Sequence, residues 1–262
     1  MGILKRPLAV SYNVQHVYQA VQRALKSNRA HPEQDARILT IGGDHSVSMG
    51  SIAAMAQAHP DLVVLWIDAH ADINTPKSTQ SGNLHGCPVA FLMQHADCLR
   101  VPGFEWMGAE AGKLSVQAGG AFLVPGRLGY LGLRDVEPQE LATMRSRGLT
   151  HTAAFMSDIH RHPFGVRGCF QKIMEILDPA GTHPLFVSFD IDSIDPKWAP
   201  STGTPVERGL TLAEALELCR LCRETGRLVG MDLTELNPAL GTADDQKLTI
   251  ETAIQVITGL MQ

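Results

Sequence analysis

The stretch VVLWIDAHADIN, residues 63–74, passes from an apolar strand composition directly into three residues that can bind metal ions. Asp68, His70 and Asp72 occupy every second position, so a continuing strand would project their side chains from one face of a sheet. Two carboxylates and an imidazole that converge in an apolar setting destabilise one another unless a positive charge lies between them. The spacing therefore predicts a bound cation at the end of this strand.

Two other stretches repeat this arrangement of an apolar run followed by acids or a histidine. TIGGDHS ends in Asp44 and His45, and VSFDIDSIDP carries Asp190 and Asp192 two positions apart. A single aspartate at a strand end is usually a turn or cap residue, which is the interpretation for Asp44. Three such clusters in one chain indicate a shared metal site instead. The predicted metal ligands are His45, Asp68, His70, Asp72, Asp190 and Asp192.

This set of four carboxylates and two imidazoles limits the kind of metal site. One divalent ion cannot neutralise four carboxylates, so the number of acids favours two ions with bridging carboxylates. A ligand set rich in oxygen, without thiolates, favours manganese over zinc. Two adjacent ions can lower the pKa of a shared water molecule towards neutrality and so produce a hydroxide nucleophile.

The elements that would position these residues alternate along the chain. Strand-like runs occupy residues 38–43, 62–68, 128–135, 151–156, 185–192 and 228–236, and helical patterns occupy 11–28, 46–58, 137–147, 168–177, 211–225 and 244–261. Apolar strands separated by helices predict an α/β fold with a mostly parallel sheet covered on both faces. Such sheets place their sites at the carboxyl ends of the strands, where the predicted ligands lie.

Composition excludes several classes of protein. The 262 residues are 44% hydrophobic and 19% charged, as in ordinary globular proteins. A net charge of −5 provides no basic surface for nucleic acid or a membrane, and no apolar run is long enough to span a bilayer. The start, MGILKRPLAV, lacks the features of a signal or transit peptide. We expect one domain over residues 1–262, in the cytosol, without nucleic acid or membrane as a partner.

Two further features concern the cysteines and one irregular segment. Five irregularly spaced cysteines fit a reducing compartment better than a disulfide scaffold. Cys219 and Cys222 form a C-x-x-C inside a helical pattern, and we predict buried thiols there rather than a metal or redox site. Residues 107–127 are rich in Gly and Ala without periodicity, so a long loop of no assigned role is expected.

Six motifs together resemble the arginase group of the ureohydrolases. They are GGDHS, DAHADIN, SGNLHGCP, SFDIDSIDP, TGTPVERGLT and ELNPALG, in this order between about residues 38 and 240. The resemblance implies a three-layer αβα sandwich on a mostly parallel sheet. It also implies hydrolysis of L-arginine to L-ornithine and urea by a hydroxide that bridges two Mn²⁺ ions.

The resemblance also implies a role for each matching residue. One ion would be held by His45, Asp68, Asp72 and Asp190, and the other by His70, Asp68, Asp190 and Asp192. Asp72 would in addition hydrogen-bond the hydroxide and relay its proton. His85 would act as the proton shuttle to the departing amine, a role that suits imidazole because it titrates near neutral pH. Glu235 would pair with the guanidinium of the substrate.

Other matching residues would bind the rest of the substrate. Asn74, Ser81 and the nearby Thr79 would hold the α-carboxylate by neutral hydrogen bonds. Glu137 stands where the arginase pattern has an aspartate at the α-amino end, so the charge is kept on a side chain one methylene longer. The complete set of implied substrate-binding residues is Asn74, Thr79, Ser81, Asn83, Glu137, Glu140 and Thr204.

The resemblance leaves three functional alternatives open. The first is an active arginase, which the full ligand set supports. The second is an agmatinase-type or other guanidino-substrate hydrolase, suggested by Glu137. The third is an arginase-like chain that binds metal but is catalytically impaired, because family members carry further residues before this start. The shortened start also predicts that the strand before His45 forms a sheet edge. Because the chain lacks the family's extended tail after its last helix and has Ala213 where the family often has an arginine, the assembly of a homotrimer is left open.

Overall fold

Six parallel strands form one sheet in the computed structural model, which describes residues 4–30, 36–114 and 120–262. The strands are β1 (Ile38–Ile41), β2 (Val63–Ile67), β3 (Leu128–Leu133), β4 (Ala153–Phe155), β5 (Leu185–Asp190) and β6 (Leu228–Thr234). Their order across the sheet is β1-β6-β5-β2-β3-β4, and every neighbouring pair is parallel. All six strands predicted from the sequence are therefore confirmed.

Helices cover both faces of this sheet. They are α1 (Pro7–Ala30), α2 (Ser48–Ala58), α3 (Pro88–Leu92), α4 (Glu105–Ala111), α5 (Pro138–Ser146), α6 (Met156–Arg161), α7 (Gly165–Leu177), α8 (Leu212–Glu224) and α9 (Ala243–Met261). The buried residues fall into two apolar clusters, one with α1 and α2 and one with α7, α8 and α9. The predicted three-layer αβα sandwich is confirmed.

Strand β2 shows why its sequence is a continuous apolar run. Val64 and Trp66 belong to the cluster under α1 and α2, whereas Val63, Leu65 and Ile67 belong to the cluster under α7, α8 and α9. Because successive side chains point to opposite faces, a strand covered on both sides must be apolar at every position. This central strand delivers Asp68 to the carboxyl edge of the sheet.

Strand β1 is an edge of the sheet, as expected. Within the described residues it pairs with β6 alone, and the side chains of Leu39 and Ile41 are partly exposed to solvent. The expectation of a loop over residues 107–127 is wrong for its first part, because α4 continues to Ala111. Met107 and Ala111 lie one turn apart and are buried, but a helix of seven residues is too short to give a clear period. Residues 115–119 lie outside the described part.

Cys219 and Cys222 are buried, unbonded thiols in α8, as predicted. Over the ranges given above, every helix is too short or too polar to traverse a lipid bilayer. The single domain over residues 1–262 stays a prediction.

Candidate active site

Acidic and imidazole side chains meet at the carboxyl ends of four neighbouring strands. Asp190 ends β5, Asp68 follows β2, Glu235 follows β6 and His45 begins a short 3-10 turn after β1. The aspartates also shape their own turns, because Asp68 Oδ1 accepts a hydrogen bond from the His70 N–H at 2.7 Å. Asp190 Oδ1 accepts one from the N–H two residues later at 2.8 Å. Each strand end thus bends so that the following ligand faces the same space.

The first cluster, which we call the His45 group, consists of His45, Asp68, Asp72 and Asp190. His45 Nδ1 lies 3.1 Å from Asp68 Oδ2, 3.1 Å from Asp72 Oδ2 and 3.0 Å from Asp190 Oδ2. The side chain of His45 is only 1% exposed. Asp72 has a φ of 49°, a left-handed conformation that aspartate tolerates better than most residues.

The second cluster, the His70 group, consists of His70, Asp68 and Asp192. His70 Nδ1 lies 3.4 Å from Asp68 Oδ1 and 3.2 Å from Asp192 Oδ2. Asp68 therefore belongs to both groups, with one carboxylate oxygen beside each imidazole. The candidate ligand atoms of His45, Asp68 and Asp72 in the first group lie within 4.8 Å of one another, as do those of the three residues of the second group, so each set could surround a metal ion.

The hydrogen bonding of His45 is typical of a histidine that binds a metal ion. Nδ1 of His45 is buried, and none of the three nearby carboxylates forms a hydrogen bond with it. The other ring nitrogen, Nε2, lies 3.0 Å from Ser188 Oγ, and Ser188 donates in turn to Asp232 Oδ1 at 2.6 Å. With the ring proton on Nε2, the lone pair of Nδ1 faces three acid oxygens, which is the donor set of a cation site. The residues present fit a divalent metal ion.

Burial, mutual repulsion and the neighbouring imidazoles set the pKa values of the candidate metal-binding acids. Burial, followed by the charge of Asp68, raises the pKa of Asp72 to about 6. Burial and the charges of Asp192 and Asp68 raise the pKa of Asp190 well above its usual value. Burial also tends to raise the pKa of Asp68, but the two imidazoles beside it outweigh burial and lower that pKa.

The imidazoles respond in the opposite direction. Burial lowers the pKa of His45, but the three carboxylates beside it, that of Asp190 foremost, raise it well above the usual 6.5. For His70, burial is outweighed by Asp192 and Asp68, which raise its pKa to about 12. Four carboxylates beside two imidazoles leave an excess of negative charge in this buried site, and that excess attracts cations.

Above the metal-binding groups, His85 and Glu235 form a direct pair. His85 Nδ1 lies 3.2 Å from Glu235 Oε1, which also accepts a hydrogen bond from the His45 N–H at 2.7 Å. The hydrogen bond to Glu235 raises the pKa of His85. Burial would raise the pKa of Glu235, but His85 outweighs it and lowers that pKa. Glu235 has a φ of 60°, and such strain in a residue other than glycine often marks a functional position.

These side chains surround a cavity of about 290 Å³. All the residues expected to bind substrate line it: Asn74, Thr79, Ser81, Asn83, Glu137, Glu140 and Thr204. Most of the expected metal ligands line it as well, whereas His45 and Asp68 lie beneath its floor. Among the described residues, no lysine or arginine lines the cavity. Asp135, which lines the rim and lies 3.8 Å from His70 Nε2, was missed in the sequence.

The outer end of the cavity is lined by neutral polar side chains, such as that of Asn74, together with the acidic side chains of Glu137 and Glu140. Asn74 Nδ2 donates to Glu137 Oε2 at 3.2 Å, so these two residues support each other. Glu140 is buried, and its two oxygens accept hydrogen bonds from the N–H groups of Ile73 and Glu137. Burial, followed by the charge of Asp72, raises the pKa of Glu140 to about 8. These contacts indicate that Glu140 holds the loop and helix together, and its contact with substrate stays a prediction.

Comparisons with known proteins agree with this geometry. The model of the arginase family matches residues 3–262. An arginase from Schizosaccharomyces pombe is 38% identical over 256 residues, which cover 98% of this chain and 72% of that protein. The mitochondrial arginase-2 of Rattus norvegicus is 39% identical over 254 residues, covering 96% of this chain and 65% of the rat protein.

Solved structures show the same similarity. The arginase from Bacillus caldovelox superposes with a TM-score of 0.81 at 26% identity, over 99% of this chain and 77% of that one. The chain belongs to the arginase family, whose members depend on metal ions, and its two groups of candidate ligands suit that chemistry.

Proposed function

We propose that this chain hydrolyses L-arginine to L-ornithine and urea with two Mn²⁺ ions. The observation that carries the proposal is the position of Asp68, whose Oδ2 lies 3.1 Å from His45 Nδ1 and whose Oδ1 lies 3.4 Å from His70 Nδ1. A carboxylate placed between two imidazoles can ligate two ions at once. Four carboxylates, two imidazoles and no thiolate favour manganese.

Each candidate ligand has a place in this proposal. One ion would be held by His45, Asp68, Asp72 and Asp190, and the other by His70, Asp68, Asp190 and Asp192. When bound, the two ions lower the pKa of a water molecule and so supply the nucleophile. Asp72, a member of the His45 group, lines the cavity and would accept a proton from that water at a carboxylate oxygen.

The residues above the metal-binding groups would orient the substrate and deliver a proton. Glu235 presents the carboxylate that a planar guanidinium requires, in a cavity whose described lining contains no competing lysine or arginine. His85 lies 3.2 Å from Glu235, close to the expected guanidinium, where it can give a proton to the departing amine. Neither residue is needed to bind metal, so their presence favours catalysis over metal binding alone.

The outer part of the cavity supports an amino acid as the substrate. The neutral side chains of Asn74, Thr79, Ser81 and Asn83 would hold the α-carboxylate, while Glu137 would receive the α-ammonium group. Agmatine has no α-carboxylate, so it would leave these donors without a partner, which costs binding energy. We therefore expect arginine to be preferred over agmatine.

The test is urea release by the purified chain after reconstitution with Mn²⁺, with L-arginine and agmatine compared at equal concentrations and the metal content measured on the same samples. We expect two manganese ions per chain and faster release from arginine. Faster release from agmatine would favour the agmatinase-type alternative. Two bound ions without urea from either compound would favour the impaired, metal-binding alternative. The cytosolic location and the homotrimer stay predictions.

A further inference from the structure

Arg134, directly after β3, uses its guanidinium in an unusual way. Its donors all point at main-chain carbonyls. Nη2 donates to Asp192 O at 2.6 Å and Val206 O at 2.7 Å. Nη1 donates to Ser193 O at 3.1 Å and to Gly132 O at 3.3 Å. Nε is shared between the carbonyls of residues 206 and 207 at 3.2 Å each.

Arg134 does not form an ordinary ion pair in the described part of the chain. Across the described part of the chain, no carboxylate lies within ion-pair distance of its guanidinium, although arginine usually pairs with one. Its side chain is partly buried, so holding a cation there without a carboxylate has a desolvation cost. The rigid fork of donors instead joins three separate segments: the end of β3, residues 192–193 and residues 206–207.

Two of these segments belong to the site, and residues 206–207 lie in a loop that continues to Gly209, which is held by a hydrogen bond from its N–H to Asp195 Oδ2 at 3.1 Å. Residues 203–208 are mostly exposed, yet Thr204 lines the cavity and donates to Asp192 Oδ2 at 3.2 Å. Arg134 supplies three hydrogen bonds to this loop, to the carbonyls of residues 206 and 207. The same guanidinium holds the carbonyl of Asp192, which is a proposed metal ligand.

The loop also passes so close to Arg134 that only glycine fits at one position. A Cβ on Gly209 would lie 2.6 Å from Arg134 Nη2 and 2.6 Å from the main-chain nitrogen of Asp195. Such a close approach is seen where the backbone must be held tightly against a neighbouring group. Next to it, Arg208 has a φ of 63°, so the chain turns sharply as it leaves the guanidinium.

We infer that Arg134 is a positioning residue that couples the substrate-facing loop, residues 203–209, to the metal-binding segment around Asp192. It sets Thr204 against the cavity by holding the loop, and it holds Asp192 by the same guanidinium. Its kinetic consequence rests on the proposed arginine hydrolysis, whereas its effect on the loop does not.

The first test uses metal-free protein and trypsin. Arg208 is exposed in the loop, so cleavage after it, located by mass spectrometry, reports how firmly the loop is held. Arg134→Lys keeps the positive charge but cannot reach carbonyls in three segments. We expect cleavage after Arg208 to become about tenfold faster, as expected for the loss of one or two hydrogen bonds. Cleavage at other sites should be unchanged.

The second test is kinetic and includes a double-mutant cycle. In the Mn²⁺-loaded enzyme, Arg134→Lys should raise KM for L-arginine about tenfold while kcat changes less than about threefold. Combining it with Thr204→Val should cost less than the sum of the two single changes, because Thr204 is already displaced. A residue that only supports folding would give additive effects.

Arg227 provides a matched control. Its guanidinium also donates to loop carbonyls, those of Gly181 and His183, but at the opposite end of the sheet, where Nη2 in addition pairs with Asp178 Oδ2 at 3.2 Å. Arg227→Lys should lower thermal stability without changing KM or the cleavage after Arg208. Unchanged cleavage together with an unchanged KM in Arg134→Lys would overturn the inference, as would strict additivity in the cycle. If the wild type releases no urea, the proposed function fails, and the protease test still decides the role of Arg134.

Discussion

The His45 group and the His70 group share Asp68, yet the protein supports them very differently. The ring of His45 is buried, stacks on Trp66 with centroids 4.1 Å apart, and has a hydrogen-bonded chain behind it through Ser188 to Asp232. The side chain of His70 is 22% exposed, and its outer nitrogen lies 3.8 Å from the carboxylate of Asp135, which is itself 67% exposed.

This difference has a physical meaning for the metals. A histidine whose outer nitrogen is held by a buried, hydrogen-bonded partner keeps one tautomer and one ring orientation, and both favour metal binding. A partner that is mostly in water contributes little, because solvent screens it. We therefore expect the metal affinity of the His45 group to depend strongly on the residues around it. The metal affinity of the His70 group should depend mainly on His70, Asp68 and Asp192 themselves.

The largest effect should come from the residue that the two groups share. Asp68→Asn removes the negative charge beside both imidazoles. Manganese binding should fall below one ion per chain, and urea release should fall by more than the roughly 100-fold that loss of an outer partner costs. Metal content and activity would be measured on the same samples after reconstitution.

Asp178→Asn provides the control for that change. Asp178 is also buried and accepts hydrogen bonds from two main-chain N–H groups, but it lies before β5, at the opposite end of the sheet. The Asp178→Asn variant should have a lower thermal stability and an unchanged metal content. If the Asp68→Asn variant still bound two ions, Asp68 would not be a shared metal ligand, and the two groups would not be linked through it.

The next largest effect should come from removing the residue beside the outer ring nitrogen of each histidine, Ser188 for His45 and Asp135 for His70. Ser188→Ala takes away the acceptor of His45 Nε2, and we expect Mn²⁺ affinity at one of the two sites to fall about 10–100-fold. Asp135→Ala takes away the corresponding neighbour of His70 and should change affinity by less than about fivefold. Calorimetric titration of metal-free protein with Mn²⁺ measures both.

Ser201→Ala is the matched control for the serine. Ser201 is buried and its hydroxyl donates to Leu240 O at 2.9 Å rather than contacting either histidine. It should leave both affinities unchanged. Equal losses from Ser188→Ala and Asp135→Ala would show that the two groups do not differ in the way the structure suggests.

That the residues of both groups lie together could be predicted from the sequence, but the hydrogen-bonded support of His45 could not. Asp68 and Asp190 stand out because an acid directly after an apolar run is rare and needs a reason. Ser188 and Asp232 face each other in the register of β5 and β6, although 44 residues separate them in the chain. Recognising that pair requires the order of the strands, which strand and helix patterns do not contain.

Similar limits explain the other differences between prediction and structure. Six strands and the main helices follow from hydrophobic periodicity, but α4 is too short for a period to emerge. The resemblance implies that Glu140 binds substrate, which stays a prediction, and the structure adds that its oxygens accept hydrogen bonds from the N–H groups of Ile73 and Glu137. Arg134 directly follows β3 and precedes Asp135, and only the contacts of the folded chain show which segments it joins.

The smallest effect tests whether the support of His45 extends to the shared carboxylate. Trp66 Nε1 donates to Asp68 Oδ2 at 2.8 Å, so the indole both stacks on His45 and fixes the oxygen nearest to it. Trp66→Phe keeps a ring for stacking and removes the donor. Because one hydrogen bond has a net value of about 1 kcal/mol, Mn²⁺ affinity at the His45 group should fall about fivefold. Trp106→Phe loses an indole hydrogen bond to Ser11 far from the site and should leave that affinity unchanged. A loss of Mn²⁺ affinity confined to Trp66→Phe would show that the His45 group is held through the carboxylate of Asp68 as well as through its imidazole. An unchanged affinity in Trp66→Phe would limit the difference between the two groups to the support from Ser188 and Asp232.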